Sequence, residues 1–312
     1  MRAIVLGGAG FIGSHLVDRL LARGDEVIAV DNLITGRRDN TARHRGNTRF
    51  TFVQHDICRP LPPLGAAGAV FNLASPASPI DYTKLPLETL DAGSIGTRNA
   101  LEHARSAGAI FVHASTSEVY GDPLEHPQRE EYCGNVNPVG PRACYDEAKR
   151  FSEALVTFHA RVHGLPVRIA RIFNTYGPRM RVDDGRVVPA FVTQALRGED
   201  FTVFGDGSQT RSFCYVDDLV SGLILILEKG DARPVNLGNP REMTLIEFAE
   251  TIRKVVGKGG RMRSVRPLPE NDPRQRRPDI TRASTLLGWE PKVSLEEGLV
   301  PTVAYFRHEL GL

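Results

Sequence analysis

Three glycines, Gly7, Gly10 and Gly13, are spaced Gly-x-x-Gly-x-x-Gly between an apolar strand pattern at Arg2–Leu6 and a helical pattern at Ile12–Arg23. That placement constrains the chain more than any other feature. Such a turn lets backbone come close to a pyrophosphate and aims the free N–H groups of the helix start at the anion. A second strand pattern, Glu26–Val30, ends at Asp31, 18 residues beyond Gly13. An acidic residue there accepts hydrogen bonds from ribose hydroxyls. It also repels a 2′-phosphate, so NAD is expected over NADP, although Arg37 and Arg38 argue the other way. Phe11, Ile12, Asn32, Thr35 and Gly36 belong to the same turns and join the expected cofactor set. Asp56 and Ile57 follow a third strand pattern at Phe50–Val53, where Asp56 either faces the adenine or caps a turn. Leu73 and Ser75 close a fourth pattern at Ala69–Leu73, on the expected nicotinamide side, because open α/β sheets bind ligands at the carboxyl ends of their strands.

The alternation continues with a helix at Leu87–Ala107, a strand at Ala109–Ala114, a helix at Cys144–His163 and a strand at Val167–Ile172. Strands alternating with helices imply an α/β fold of Rossmann type, a doubly wound parallel sheet with helices on both faces. After about Asn174 the elements shorten. Helices are expected at Val187–Arg197, Leu219–Glu228, Leu245–Val256 and Leu295–Glu309, with short strands at Phe201–Phe204 and Arg261–Val265. This part reads as a smaller α/β C-terminal substrate lobe. Residues 1–173 form the dinucleotide domain, with return segments near 212–238, and 174–312 form mainly the lobe. The charged loop Glu270–Asp279 is either a linker or a segment that closes on a ligand.

Charge narrows the function classes. Lys+Arg is 39 against Asp+Glu 37, a net charge of +2, which argues against a nucleic-acid binder. No apolar stretch approaches the ~20 residues that span a bilayer. Cys58, Cys133, Cys144 and Cys214 fit neither a disulfide framework nor a zinc site, the histidines show no ligand spacing, and no metal is expected. The expected compartment is the cytoplasm.

Tyr145 and Lys149 stand at helical i,i+4 spacing and share a face. Tyrosine is a poor base at neutral pH, with a pKa near ~10, and a neighbouring ammonium favours its phenolate. Together with the glycine turn and the strand end Ala114-Ser115-Thr116, this pair resembles the short-chain dehydrogenase/reductase superfamily, in its extended, nucleotide-sugar-modifying branch. There the tyrosine takes a sugar hydroxyl proton while NAD takes hydride from the same carbon, and Thr116 would hydrogen-bond that hydroxyl. Ser117 stands where the nucleotide-sugar 4,6-dehydratases carry an acid, whereas Glu118 is kept. Longer stretches are similar to the UDP-glucuronic acid decarboxylase (UDP-xylose synthase) family: Asn72–Pro79, Ala114–Gly121, Gly140–Lys149, Arg171–Arg179 and Arg276–Asp279. Asp91-Ala92-Gly93 and Leu61-Pro62-Pro63-Leu64 depart from the family's usual stretches.

The resemblance implies a catalytic set of Tyr145, Lys149, Thr116, Ser117, Glu118 and Arg276. It implies a UDP-sugar set of Pro76, Glu118, Asn174, Arg179, Arg186, Gln209, Arg211 and Arg276, in which Arg211 and Arg276 act as phosphate or carboxylate forks. The implied substrate is UDP-glucuronate, oxidised at carbon 4, decarboxylated through an enediolate and re-reduced to UDP-xylose. Glu118 would sit near the sugar carboxylate and destabilise it or relay a proton, and Arg276 would share in proton delivery. A 4-epimerase, a 4,6-dehydratase, a decarboxylase that releases the 4-keto pentose, and a non-catalytic NAD-binding regulator remain open. The superfamily also implies a homodimer through Leu87–Ala107 and Cys144–His163, where Phe151, Leu155 and Phe158 face either a partner or the core.

Overall fold

The computed structural model describes residues 1–267 and 275–312. Residues 270–274 of the expected charged loop therefore lie outside the described residues.

Seven strands build one parallel sheet: β1 (Arg2–Leu6), β2 (Glu26–Asp31), β3 (Phe50–Gln54), β4 (Ala69–Asn72), β5 (Ile110–Thr116), β6 (Val167–Ile172) and β7 (Pro234–Leu237). Their order is β7-β6-β5-β4-β1-β2-β3. Strand order reverses between β1 and β4, and the crevice outside such a switch point is where open α/β sheets take ligands. Side chains alternate across a strand. From β1, Ala3 and Val5 pack with Leu16 and Leu20 of the helix Phe11–Ala22 on one face, while Ile4 and Leu6 pack with Leu101, Ala104 and Val156 on the other. All of these are fully buried, and burying one such aliphatic side chain stabilises by roughly 1.5–3 kcal/mol.

Several expected elements shift. The strand expected at Ala109–Ala114 runs from Ile110 to Thr116, so the strand end Ala114-Ser115-Thr116 lies within β5. The helix expected at Leu219–Glu228 starts at Val216, where Asp217 and Asp218 sit in the first turn and suit the positive end of the helix dipole. The Leu87–Ala107 helix starts at Pro86 and contains a π-turn at Ala92–Gly96. There the Asp91-Ala92-Gly93 departure has a packing reason. A Cβ on Gly93 would lie 2.7 Å from the Cβ of Ala148 and 2.8 Å from its carbonyl oxygen, so the run presses directly on the helix Ala143–His163.

Beyond β6 the short strands pair in twos: Thr175–Tyr176 with Cys214–Tyr215, Thr210–Ser212 with Glu242–Thr244, and Phe201–Phe204 with Met262–Arg266. Phe201–Phe204 and Met262–Arg266 meet the two short strands expected there, whereas the others are two or three residues long, too short for periodicity to announce them.

Candidate active site

The glycine turn is built for close approach. Gly7 has φ +79°, and a Cβ on Gly13 would meet the Gly7 carbonyl oxygen at 2.1 Å. Gly10 caps the helix Phe11–Ala22 with no side-chain hydrogen bond, so the first-turn N–H groups face the cleft without a side-chain cap. At the end of β2, the Asp31 carboxylate accepts the N–H of Ala9 at 3.0 Å and of Leu33 at 2.8 Å. Burial raises its pKa against those bonds. An ionised carboxylate has about four acceptor positions, so capacity remains for two ribose hydroxyls. Gly36 backs this carboxylate: a Cβ there would lie 2.7 Å from an Asp31 oxygen. Arg37 is bound to Glu309 at 2.5 Å and Arg38 lies over the Phe52 ring at 3.6 Å. Both arginines that argued for NADP are engaged elsewhere. These features fit a dinucleotide with a free 2′-hydroxyl.

Two adjoining recesses follow. The smaller is lined by Asp31, Asn32, Thr35, Asp56, Ile57, Leu73, Ser75 and Pro76. Pro76, expected on the sugar side, is thus found with the adenosine-side residues. The larger, a cleft of about 700 Å³, is lined by Gly7, Gly10, Phe11, Ile12, Gly13 and Arg179 and by Thr116, Ser117, Glu118, Tyr145, Lys149, Asn174, Arg186, Gln209, Arg211 and Arg276. Segments from both ends of the chain therefore converge on one crevice.

At its centre Tyr145 is buried and stacks on Tyr82, with ring centroids 5.2 Å apart and 11° between planes. Burial pushes its pKa up to about 12, Glu118 adds to the rise, and the Thr116 hydroxyl opposes it. The expected lowering by Lys149 does not carry the balance. The Lys149 Nζ donates to the Ala114 carbonyl at 2.9 Å and lies 5.9 Å from the Tyr145 ring centroid. Its own pKa is pushed down to about 8 by burial, against the pull of Glu153. Desolvation outweighs the Thr116 hydroxyl, and the phenol form of Tyr145 is favoured.

Glu118 follows the end of β5 in the one-turn 3₁₀ segment Ser117–Tyr120, where the Thr116 hydroxyl accepts the Glu118 N–H at 3.2 Å. Arg276 grips its carboxylate with both Nη atoms, at 2.7 and 2.9 Å. Arg142 adds a third bond at 2.5 Å. Burial alone would raise the pKa of Glu118, but the two guanidiniums outweigh it and hold the carboxyl down at about 2. Two cations on one anion leave net positive charge in the cleft. Neither Arg142 nor Tyr82 belonged to the expected site. Arg142 carried a usable signal, because it stands three residues before Tyr145 at the start of the same helix; Tyr82 carried none.

The remaining expected arginines are engaged. Arg186 pairs with Asp184 at 2.5 and 2.7 Å. Arg211 donates to the Thr210 carbonyl at 2.8 Å. Arg179 bonds Asp18 of the helix Phe11–Ala22 at 2.6 Å, on the glycine-turn side of the cleft rather than the sugar side. Gln209 donates to the Phe204 carbonyl at 2.8 Å and leaves its buried Oε1 without a partner.

Comparison with known proteins agrees with this geometry. The model of the NAD dependent epimerase/dehydratase family matches residues 3–238. UDP-glucuronic acid decarboxylase 5 of Arabidopsis thaliana is 52% identical over 313 residues, covering 100% of this chain and 91% of that protein. UDP-glucose 4-epimerase of Thermotoga maritima, solved with UDP-glucose, superposes with a TM-score of 0.91 at 35% identity, covering 99% of this chain and 100% of that one. UDP-glucuronic acid 4-epimerase of Bacillus cereus, solved with UDP-glucuronic acid and NAD, superposes with a TM-score of 0.87 at 30% identity, covering 99% and 100%.

Proposed function

The chain belongs to the NAD-dependent epimerase/dehydratase family, and from that premise we propose that it decarboxylates UDP-glucuronate to UDP-xylose. The observation that carries this reading is the clasp of Arg276 and Arg142 on Glu118 beside Tyr145. A 4,6-dehydratase needs an acid that can protonate a leaving hydroxyl. Here the Ser117 hydroxyl is too weak an acid, and the two guanidiniums favour the ionised form of Glu118. The surplus cationic charge instead suits a sugar that carries a carboxylate.

Residues 1–173, with the return segment near 212–238, hold the dinucleotide in this reading, and 174–312 hold most of the UDP-sugar. Gly7, Gly10, Gly13 and Asp31 would hold the cofactor's pyrophosphate and ribose. Bound NAD⁺ supplies the hydride acceptor for carbon 4 and later returns the hydride, so it is recycled. Tyr145 must first give its phenol proton to solvent, a loss that the nearby Lys149 ammonium favours; the phenolate then takes the proton of the carbon-4 hydroxyl, which Thr116 orients, as hydride leaves carbon 4. The resulting ketone lies β to the carboxylate. The bond from carbon 5 to the carboxyl carbon then breaks, its electron pair moves into the ketone, and carbon dioxide leaves. Carbon 5 takes up a proton from solvent, which restores the ketone, and Tyr145 returns its proton to the carbon-4 oxygen as carbon 4 regains hydride. Arg276 acts by orientation, because a guanidinium does not give up its proton in a protein. With its charge neutralised by two arginines, Glu118 acts by aiming them rather than by repelling the substrate or relaying a proton. Decarboxylation is faster when the electron-rich transition state is stabilised more than the ground-state carboxylate, and a fork already shared with Glu118 meets that condition.

We also propose a homodimer through the two long helical runs. Leu87, Phe151 and Phe158 are 70%, 49% and 57% exposed, an apolar surface that suits a partner helix pair, whereas Leu155 packs inward. Cytoplasmic residence is supported by four unpaired cysteines and, among the described residues, no helix long and apolar enough to cross a membrane.

The test is incubation with UDP-glucuronate and catalytic NAD, with the product read by mass and NMR. UDP-xylose with carbon dioxide is expected. An unchanged mass would make it an epimerase, loss of water a dehydratase, and a keto sugar with stoichiometric NADH a decarboxylase that stops halfway.

A further inference from the structure

Arg276 is carried by residues 275–279, whose only regular pairing among the described residues is a single bridge between Pro278 and Gln128. Polar bonds hold the segment instead. Gln128 is fully buried. Its Oε1 accepts the Arg277 N–H at 2.9 Å, its backbone N–H donates to the Arg277 carbonyl at 2.9 Å, and its carbonyl accepts the Asp279 N–H at 2.8 Å. Asn236 of β7, also fully buried, donates Nδ2 to the carbonyls of Gln128 at 3.0 Å and Asp279 at 3.1 Å. Its Oδ1 accepts the Tyr120 hydroxyl at 2.7 Å.

Tyr120 ends the short turn that contains Glu118. The bonds therefore close a ring. It runs from Glu118 along the chain to Tyr120, across to Asn236, on to Gln128 and the 277–279 backbone, and back through Arg276 to Glu118. Arg171, paired with Glu153, braces the Tyr120 hydroxyl at 3.0 Å. A buried network with every partner in place has one low-energy arrangement, and a missing partner leaves a desolvated polar group that favours rearrangement.

We propose that Gln128 and Asn236 are positioning residues for the Arg276–Glu118 pair: they fix the 277–279 backbone so that the guanidinium closes over the cleft in one register. This rests on the decarboxylase reading for its kinetic test and on geometry alone for its structural one. Gln128→Met keeps the size and removes the acceptor for Arg277. In the NAD-loaded full chain it should raise KM for UDP-glucuronate at least tenfold, with kcat less affected and NAD affinity within twofold of wild type. The same change made in an Arg276→Ala background should cost less than threefold more, because Gln128 would act only through Arg276. An equal fold-loss in both backgrounds, or wild-type kinetics in Gln128→Met, overturns the proposal.

A second arm needs no variant. In the wild-type chain the amides of Arg277 and Asp279 should be protected from hydrogen exchange to the level of β6, and exchange within seconds overturns it. Absence of any turnover of UDP-glucuronate by wild type would sink the decarboxylase reading and leave this arm to decide the proposal.

Discussion

Glu118 and Arg276 are 158 residues apart in sequence and meet as a fork on a fork, Nη1 to Oε1 at 2.7 Å and Nη2 to Oε2 at 2.9 Å. Arg142 completes the triad on Oε2, the oxygen that also accepts Arg276 Nη2. Breaking a buried pair by removing one partner costs about 3–5 kcal/mol. Glu118→Gln should therefore lower the melting temperature and, by letting the two arginines drift from register, cut carbon dioxide release from UDP-glucuronate about 10²-fold. Decarboxylation at the wild-type rate, with Tyr145→Phe inactive, would remove Glu118 from the mechanism.

Tyr145→Phe removes the proton acceptor and should cost roughly 10²–10⁴-fold in turnover with the fold intact. Lys149→Met separates activity from stability. Burial lowers the Lys149 pKa to about 8 from 10.5. The folded chain thus holds fewer protons than the unfolded one between those values, and stability from this group rises with pH across that window. Its penalty is fully present below about pH 8. Lys149→Met should be inactive yet melt higher than wild type at pH 7, with the gap closing toward pH 10.5. A lower melting temperature at pH 7 would show that the ammonium is well solvated or better paired than this geometry allows.

Asp146, buried beside Tyr145, leaves Oδ1 without a partner. Burial raises its pKa from 3.8 to about 7, Glu118 adds to the rise, and Arg142 and Arg276 oppose it. Because the folded-state value is the higher one, its contribution to stability is fully present below about pH 4 and is lost as pH rises through about 7. Asp146→Asn should gain melting temperature relative to wild type as pH goes from 4 to 8. A difference that stays flat across that range would mean the carboxyl is ionised throughout.

Cofactor choice follows from three side chains. Asp31 faces the expected ribose site, while Glu309 holds Arg37 and Phe52 holds Arg38. Calorimetry should find NAD bound at least 10²-fold tighter than NADP, on the scale of about 1.5–3 kcal/mol for a hydrogen bond to a charged group. Glu309→Ala frees Arg37 and should narrow that gap by strengthening NADP. Equal affinity of wild type for both would contradict the assignment of Asp31.

Light scattering tests the dimer. Replacing Phe151 and Phe158 together by Arg puts two charges on the exposed apolar face without entering the core and should halve the measured mass. A wild-type chain that is already monomeric at micromolar concentration would leave that face without a partner of its own kind.

Local signals were legible where the physics is local. The glycine turn, Asp31 at its strand end, and the i,i+4 pair of Tyr145 and Lys149 could be read because each depends on neighbours a few residues away. The seven-residue β5 and the long helices were found by apolar periodicity, with ends off by one or two residues. The strands Thr175–Tyr176 and Cys214–Tyr215 were not, since two residues have no period. Tyr82 escaped because its contact arises from what stands opposite it, whereas Arg142, three residues before Tyr145, had a local signal that went unread.

The sequence by itself determined a parallel α/β sheet, a dinucleotide turn that selects against a 2′-phosphate, and the Tyr145–Lys149 pair. Tertiary structure alone decided the electrostatics of the cleft. It brought Arg142 and Arg276 onto Glu118 from 24 and 158 residues away. It buried Tyr145 until desolvation outweighed the Thr116 hydroxyl beside it. The reason is the same in both cases: burial and long-range charge depend on which distant segments share a low-dielectric space, and spacing along the chain carries no record of that.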